Sequence, residues 1–287
     1  MHVFVTGATG WVGSAVTREL IAAGHKVTGL ARSGEKAAPL AETGAEMVLG
    51  TLEDLDLLRA NASRADAVIH TAFNHDFSKF AENAAEDQRV IEALGSALEG
   101  SDRPLLVTSG LAGLPAGAIE ADRPKPVSPR KSEVAARAVA ERGVRAAAVR
   151  LPPSVHGTDD HGFLPILIRT ARETGVSAYI GDGANNWSGV HRFDAAKLYR
   201  LALEQGATQS VYHAVADEAV PFRSIAQMIG EKLGLPVESR PAEHFGWFAA
   251  MAGGNMAASS AQTRSVLGWE PIGPSLIEDL GQPGYYA

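Results

Sequence analysis

The stretch TGATGWVG, residues 6–13, decides the fold of this chain. It follows a short apolar segment and leads into residues 12–22, where apolar side chains recur at helical spacing. Gly7 permits a tight strand-to-helix turn, Gly10 lets the backbone approach a pyrophosphate, and Gly13 allows close packing of the helix on the strand. The helix N-terminus adds unpaired N–H groups and a partial positive charge. We therefore expect a dinucleotide site formed by Gly7, Thr9, Gly10, Trp11, Val12 and Gly13.

The composition of the chain narrows its class. Its 287 residues can bury a large core, and a net charge of −7 gives no support for nucleic acid or an anionic membrane as a partner. The chain has no cysteine, which excludes disulfides, thiolate zinc sites and cysteine nucleophiles. We find neither a run of 18 apolar residues nor a signal segment before the first predicted strand. We expect a soluble, cytoplasmic protein that binds a small-molecule substrate.

Strand-like apolar segments alternate with helical segments along the first half of the chain. The predicted strands are 2–6, 26–31, 46–49, 67–71, 104–108 and 145–150. The predicted helices between them are 12–23, 35–43, 52–60, 77–98 and 130–142. This alternation is typical of a parallel sheet that is covered by helices on both faces. We predict an α/β fold with a doubly wound parallel sheet, the Rossmann fold.

The alternation breaks at Pro152 and its neighbour Pro153. Beyond them the sequence predicts two further helices and one strand, over 194–205, 222–233 and 210–215. We predict a dinucleotide-binding domain over 1–151, to which 186–216 returns. The remainder, 152–287, is predicted to form a smaller, interleaved substrate-binding part.

The residue type at the end of the second strand decides between NAD and NADP. That strand ends LARS at 30–33, and no Asp or Glu occurs over 30–34. Arg32 can form paired, charge-assisted hydrogen bonds to a 2′-phosphate, to which Ser33 adds a hydroxyl. The alternative is that Arg32 only ends a surface strand. We predict NADP(H), with Arg32 and Ser33 at its phosphate.

Further motifs follow the glycine turn. They are DAVIHTA at 66–72, LLVTSG at 105–110, AAVRLPPSVHG at 147–157, YIGDGANNWSGVHRFDAAKLYRLALE at 179–204 and LGW at 267–269. Taken with TGATGWVG, this series resembles the extended or atypical short-chain dehydrogenase/reductase superfamily, in its NAD-dependent epimerase/dehydratase branch. The resemblance covers most of the chain and implies a Rossmann fold and a nicotinamide cofactor.

The resemblance also implies roles by position. Thr71, Ala72 and Phe73 follow the fourth strand and would pass close to the cofactor diphosphate and ribose. Ser109 follows the fifth strand, where the superfamily places a hydroxyl that hydrogen-bonds the substrate oxygen. Pro152 lies in the stretch that would approach the nicotinamide amide.

The Tyr-x-x-x-Lys pair of the superfamily is missing here. The corresponding stretch is PVSPRKSEVAA at 126–136. If Lys131 is the lysine, the tyrosine position is Val127; if Ser128 takes the tyrosine position, the lysine position is Ser132. In the superfamily the tyrosine protonates the nascent alkoxide, and the lysine lowers the pKa of that tyrosine while holding the ribose. The proton must therefore come from another group, or the reaction differs.

Loops at the carboxyl ends of the strands contain several candidate proton donors. Histidine titrates near neutrality, so His75, His156 and His161 are each suited to this role. We predict Ser109, Lys131 and His156 as the catalytic residues. No metal is predicted, because neither HExxH nor a carboxylate triad accompanies the cluster of Asp159, Asp160 and His161.

These observations predict an NADP-dependent reductase that reduces a small carbonyl-type substrate by hydride transfer. Two alternatives stay open: an NADP-binding redox sensor that has lost turnover, and an epimerase or isomerase of the same superfamily. By analogy with relatives, we expect a homodimer that forms through the helices predicted at 77–98 and 130–142.

Overall fold

A computed structural model describes residues 1–125 and 129–287 of the chain. Seven parallel strands form its main sheet in the spatial order β10-β6-β5-β4-β1-β2-β3. These strands are β1 His2–Thr6, β2 Lys26–Ala31, β3 Glu46–Leu49, β4 Ala67–His70, β5 Pro104–Gly110, β6 Arg145–Leu151 and β10 Val211–His213. The order reverses between β1 and β4, as in dinucleotide-binding sheets. The predicted doubly wound α/β fold is confirmed.

Helices cover both faces of this sheet, because its strands are apolar on each face. One face carries α1 Trp11–Ala22, α2 Gly34–Ala41 and α7 Arg192–Glu204, and the other carries α3 Leu55–Arg64, α4 Phe80–Ser96 and α5 Ser132–Glu141. Strand residues alternate between the two cores. Val3 and Val5 of β1 pack towards the first set of helices, while Phe4 packs towards the second.

Three predicted helices begin later than expected, and the one predicted at 130–142 does so by two residues, at Ser132. The helix predicted at 52–60 begins at Leu55, because the Asp54 carboxylate accepts hydrogen bonds from the backbone N–H and the hydroxyl of Thr51 and closes a turn there. The helix predicted at 77–98 begins with a single 3₁₀ turn, Phe77–Lys79, before α4. Asp76 caps that turn by accepting from the Ser78 backbone N–H at 3.0 Å.

The second half of the chain contains several elements that the sequence pattern did not predict. Three short strands, β7 Ser154–His156, β9 Asn186–His191 and β11 Asp217–Pro221, form a second sheet, and β8 Ser177–Tyr179 pairs with β12 Val237–Ser239. The helices here are α6 Phe163–Thr174, α8 Phe222–Leu233, α9 Ala249–Ala252, α10 Ala261–Leu267 and α11 Leu276–Leu280, with 3₁₀ segments Ala242–Phe248 and Pro283–Tyr285. A third apolar core includes Trp187, Phe222 and Phe248.

The strand predicted at 210–215 is β10, which pairs with β6 at the edge of the main sheet. Helix α7, in the same segment, packs against α1. The division of the chain into domains at residue 151 stays a prediction. No helix among the described residues has the length and apolarity needed to cross a membrane.

Candidate functional site

The glycine turn lies at the carboxyl end of β1, against the residues that follow β4. Gly7 has a φ of +68°, and a Cβ at this residue would lie 2.6 Å from the backbone nitrogen of Ala72. A Cβ at Gly13 would lie 2.0 Å from the Gly7 carbonyl oxygen and 2.6 Å from Thr71 Oγ1. Neither position therefore accommodates a side chain. These glycines let α1 and the residues after β4 pack closely at the carboxyl end of β1, which is the geometry of a pyrophosphate-binding turn.

Trp11 is the first residue of α1 and is held from three sides. Its indole Nε1 donates to the Val155 carbonyl at 2.7 Å. The His161 ring meets it edge-on with centroids 5.3 Å apart, and the Arg192 guanidinium carbon lies 4.2 Å from its ring centroid. The loop at 157–162 and the start of α7 therefore pack beside the glycine turn. This places an arginine close to the predicted diphosphate position.

Arg32 is exposed immediately after β2. Within 1–125 and 129–287 it makes no hydrogen bond or ion pair with another residue. The Ser33 hydroxyl caps α2 by accepting from the Lys36 backbone N–H at 3.4 Å. The predicted 2′-phosphate site thus combines an arginine whose donors are available with a serine whose hydroxyl has a long cap bond.

Ser109 lies near the end of β5, opposite Arg150 of β6. It is buried, and its hydroxyl is hydrogen-bonded to no residue that the structure describes. Pro152 is buried just beyond β6, and Thr71, Ala72 and Phe73 follow β4 in the neighbouring position. The predicted cofactor and substrate residues therefore meet at one edge of the sheet.

Arg130 also lies at this edge, and the sequence pattern did not predict it. Its guanidinium carbon lies 3.6 Å from the Phe73 ring centroid, within the range of a cation–π contact. Its Nε donates to Ser132 Oγ at 2.6 Å, and its Nη2 donates to the carbonyl of Thr108 at 3.2 Å. Burial lowers the pKa of Arg130, against a smaller opposing effect of the Asp87 carboxylate. A partly desolvated cation thus lies beside the residue that precedes Ser109.

A buried polar chain connects Arg130 to the glycine turn. The Ser132 hydroxyl that accepts from Arg130 donates to Asp87 Oδ2 at 2.5 Å, and Asp87 Oδ1 lies 3.0 Å from His70 Nε2. His70 Nδ1 in turn lies 2.6 Å from Thr6 Oγ1. Buried polar groups that are fully paired fix one geometry, because any displacement leaves one of them without a partner. Asp87 on the apolar face of α4 was the signal in the sequence that could have revealed this chain.

A second buried contact fixes the start of α5 relative to β6. Arg150 is fully buried and donates to both carboxylate oxygens of Glu133, at 2.9 and 2.8 Å. Its Nη1 lies 2.9 Å from His213 Nε2 on β10. Such a bidentate pair is geometrically specific. It positions the segment that carries Arg130 and Lys131.

Lys131 immediately precedes α5, and its carbonyl accepts the first helical hydrogen bond, from the Ala135 N–H at 2.9 Å. The two registers for the missing tyrosine place it at Val127 or at Ser128. Both residues lie outside the described part of the chain. The sequence contains no tyrosine before Tyr179.

His156 is fully buried in β7. Its Nδ1 lies 3.0 Å from Asp279 Oδ2 on α11, and its Nε2 lies 3.8 Å from Asp217 Oδ2, beyond hydrogen-bond distance. Burial lowers the pKa of His156, but the two carboxylates outweigh this effect and raise the pKa above its ordinary value. Tyr285 donates to the same Asp279 oxygen at 2.9 Å. This geometry joins β7 to the C-terminal helix and leaves the ring without access to a ligand.

The adjoining loop carries Asp160 and His161. Burial raises the pKa of Asp160 to about 6, although its Oδ1 accepts from the Gly162 N–H at 2.7 Å. His161 is exposed and packs on Trp11. Among the described residues, no group of three or more His, Asp or Glu side chains is arranged to hold a metal ion.

The switch in strand order and the tight glycine turn at the carboxyl end of β1 together define a Rossmann-type nucleotide-binding protein. The model of the NAD dependent epimerase/dehydratase family matches residues 3–215. The chain belongs to this family.

Individual relatives match most or all of the chain. An uncharacterized protein of Schizosaccharomyces pombe is 47% identical over 295 residues, which cover 100% of both chains. A 4-hydroxy-2-methyl-3-oxo-4-farnesyl-3,4-dihydroquinoline-1-oxide ketoreductase of Stigmatella aurantiaca is 28% identical, covering 86% of this chain and 80% of its own. The dTDP-glucose 4,6-dehydratase of Streptomyces venezuelae, solved with NAD bound, has a TM-score of 0.79 at 20% identity and covers 100% and 97% of the two chains. The last of these supports the fold alone.

Proposed function

We propose that the chain is an NADP-dependent reductase of a carbonyl-type substrate. The observation that carries this proposal is the exposed Arg32 immediately after β2, the strand that pairs with β1, from which the glycine turn follows. A guanidinium there can bind a 2′-phosphate through two charge-assisted hydrogen bonds. The ketoreductase of Stigmatella aurantiaca, although only 28% identical, supports the reaction class.

The residues of the sheet edge divide the remaining tasks. When bound, the reduced nicotinamide would supply a hydride to the substrate. Ser109 orients the carbonyl by donating a hydrogen bond from its hydroxyl, which is hydrogen-bonded to none of the described residues. Arg130, fixed by Thr108 and Ser132, stabilises the negative charge that develops on the oxygen, because a cation is most effective where water is excluded. Lys131 holds the nicotinamide ribose.

We assign delivery of the proton to His161. It is the exposed histidine of the 157–162 loop, and it packs against Trp11 at the glycine turn. His156 instead holds this loop in place, because its ring is enclosed by Asp279 and the second sheet. We further propose a cytoplasmic homodimer with α4 and α5 at its interface.

The cofactor assignment is tested by titration of NADPH and NADH into wild type and Arg32→Ala. Loss of a charge-assisted phosphate contact is expected to weaken NADPH binding by about 10- to 100-fold and to leave NADH binding within about 2-fold. Arg64→Ala, which removes an exposed arginine near the opposite edge of the sheet, is the control. Equal losses for both dinucleotides would refute the assignment.

The reaction class is tested by turnover. NADPH oxidation is measured with a panel of aldehydes, ketones and imines, and we expect at least one to be reduced. Ser109→Ala should lower kcat by about 10-fold or more and leave NADPH affinity unchanged. Binding of NADPH without oxidation by any member of the panel would favour the redox-sensor alternative.

A further inference from the structure

A continuous series of aromatic rings leads from the sheet edge to the surface. Phe73 lies 5.6 Å from Phe80, Phe80 lies 6.2 Å from Phe77, and Phe77 stacks on Trp247 with centroids 5.4 Å apart and planes at 28°. Phe163 of α6 lies 6.1 Å from Phe77. We call these five residues the aromatic wall. They come from two distant parts of the sequence, the segment after β4 and the segments that begin with α6.

The outer pair of the wall is exposed although it is apolar. Phe77 retains 39% and Trp247 61% of its surface in water. Hydrogen bonds hold Phe77 in place: the neighbouring Ser78 donates to Asp76 through its backbone and its hydroxyl, and Asn83 Nδ2 donates to the Asp76 carbonyl at 2.8 Å. The exposure therefore belongs to an ordered surface. Ordered, exposed aromatic faces are typical of ligand sites.

The backbone at Gly246 directs Trp247 outwards. The sequence FGWF places Phe245 and Phe248 in the third core, with 7% and 2% exposure, whereas Trp247 between them faces Phe77. Gly246 has φ +53° and ψ −128° and interrupts the 3₁₀ segment. A residue with a side chain would be strained there. This turn is built to present one large ring on the side of the predicted substrate residues.

The inner end of the wall lies beside those residues. Phe73 carries the Arg130 guanidinium on its face, and Arg130 donates to the carbonyl of Thr108, the neighbour of Ser109. A molecule whose oxygen reached Ser109 would therefore extend along rings. Aromatic faces bind flat apolar groups well and offer few hydrogen bonds to sugar hydroxyls.

We infer that the substrate carries its carbonyl on a flat, apolar, ring-containing body, and that Phe77 and Trp247 contact this body. The inference rests on the proposed reductase function and names its substrate class. Phe77 and Trp247 act as specificity residues, so that their removal raises KM more than it lowers kcat.

Binding is measured first, without turnover. Naphthalene-2-carboxamide, a flat aromatic amide that cannot be reduced by hydride transfer, is titrated calorimetrically into the full chain saturated with NADPH. We expect Phe77→Ala and Trp247→Ala to weaken its binding by about 10-fold or more, and Trp247→Phe to restore most of the affinity. Ile272→Ala, which removes another exposed apolar side chain, is the control. Equal affinity in all variants would overturn the inference.

Turnover then separates this inference from the proposed function. With 2-naphthaldehyde as substrate, Trp247→Ala should lower kcat/KM by about 10- to 100-fold, mainly by raising KM. With acetaldehyde, the same substitution should lower kcat/KM by less than about 2-fold. If acetaldehyde is reduced and Trp247→Ala leaves kcat/KM unchanged for both substrates, the inference is overturned while the proposed reductase function is kept. Carboxamide binding that depends on Trp247, without reduction of any carbonyl, would support the aromatic site and overturn the proposed reductase function. A change of sedimentation coefficient in Trp247→Ala with unaltered kcat/KM would assign the pair to a contact between two copies of the chain and overturn the inference.

Discussion

The glycine turn and the region above β5 both lie at the carboxyl ends of the parallel strands, but they are built from different chemical groups. At the turn, backbone packs closely on backbone, and side chains at Gly7 and Gly13 are excluded: a Cβ at Gly13 would lie 2.0 Å from the Gly7 carbonyl oxygen. Above β5, the surface consists of side chains such as Arg130 and Phe73, held by hydrogen bonds and ring contacts from several elements. The first arrangement binds a part common to all dinucleotides, while the second can vary with the substrate.

The largest expected effect is at Gly13. Gly13→Ala places a methyl group against the Gly7 carbonyl oxygen, so that α1 must move away from β1. We expect the affinity for NADPH to fall by about 100-fold or more and the free energy of unfolding to fall by roughly 1–3 kcal/mol. Fluorescence titration and urea denaturation measure the two quantities.

Gly284→Ala is the matched control for this substitution, because no atom outside its chain neighbours lies within 4 Å of a Cβ at that residue. It should change neither quantity appreciably. If Gly13→Ala kept wild-type affinity for NADPH, close backbone packing at the glycine turn would not be required for dinucleotide binding, and the comparison of the two regions would be contradicted.

This difference also explains how much could be predicted from the sequence. The turn and the first six strands follow local rules of spacing, so TGATGWVG and the apolar alternation were sufficient to predict them. Arg130 was missed because its role depends on Phe73, Thr108 and Ser132, which only the fold brings together. Apart from β10, which was predicted at 210–215, the strands of the second half are three to six residues long and carry too little periodicity to be predicted.

The next largest effect tests the side-chain region. Arg130→Met removes the cation beside Thr108 and Ser109 while keeping part of the apolar stem over Phe73. We expect kcat for a reducible carbonyl to fall by about 100-fold, because charge on the reacting oxygen loses its stabilisation. The affinity for NADPH should change by less than about 3-fold, since Ser132, Asp87 and His70 keep their hydrogen bonds towards Thr6 of the turn when Arg130 is replaced.

Arg137→Met on α5 is the control for this variant. Its guanidinium pairs with Glu133 at 3.3 Å but is 39% exposed, so its loss should cost little. Similar kcat losses in both variants would assign the effect of Arg130 to general disturbance of α5. Thermal denaturation of each variant shows whether loss of the arginine also disturbs the buried hydrogen bonds of Ser132 and Asp87.

A smaller effect concerns the 157–162 loop, which packs on Trp11 beside the glycine turn. The pKa of Asp160 is raised from 3.8 to about 6 by burial, so the folded state binds this proton more tightly than the unfolded state. Its contribution to stability is therefore full below about pH 4 and is lost as the pH rises through about 6. Asp160→Asn, which cannot ionise, should be more stable than wild type by about 1–2 kcal/mol at pH 7, after allowance for partial exposure, and equally stable at pH 4.

Urea denaturation between pH 4 and 7 measures this difference, with Asp159→Asn as the control. Asp159 is exposed and has a φ of +66°, which asparagine tolerates. A stability difference that is constant with pH would contradict the assignment. His156 contributes in the same direction at higher pH, because its raised pKa means that its stabilisation is lost as the pH increases above its ordinary value of 6.5.

The smallest effect concerns Ser33 after β2, whose hydroxyl has one observed and one predicted role. Its hydroxyl caps α2 through a long 3.4 Å bond from the Lys36 N–H, and it is also a predicted ligand of the 2′-phosphate. Ser33→Ala should lower the free energy of unfolding by about 0.5–1 kcal/mol, as expected for an N-cap. Its effect on NADPH affinity separates the roles. A loss under about 3-fold, with Arg32→Ala still costing 10-fold or more, means that the arginine binds the phosphate and the serine serves the helix; a larger loss, absent for NADH, means that the hydroxyl leaves its cap for the phosphate.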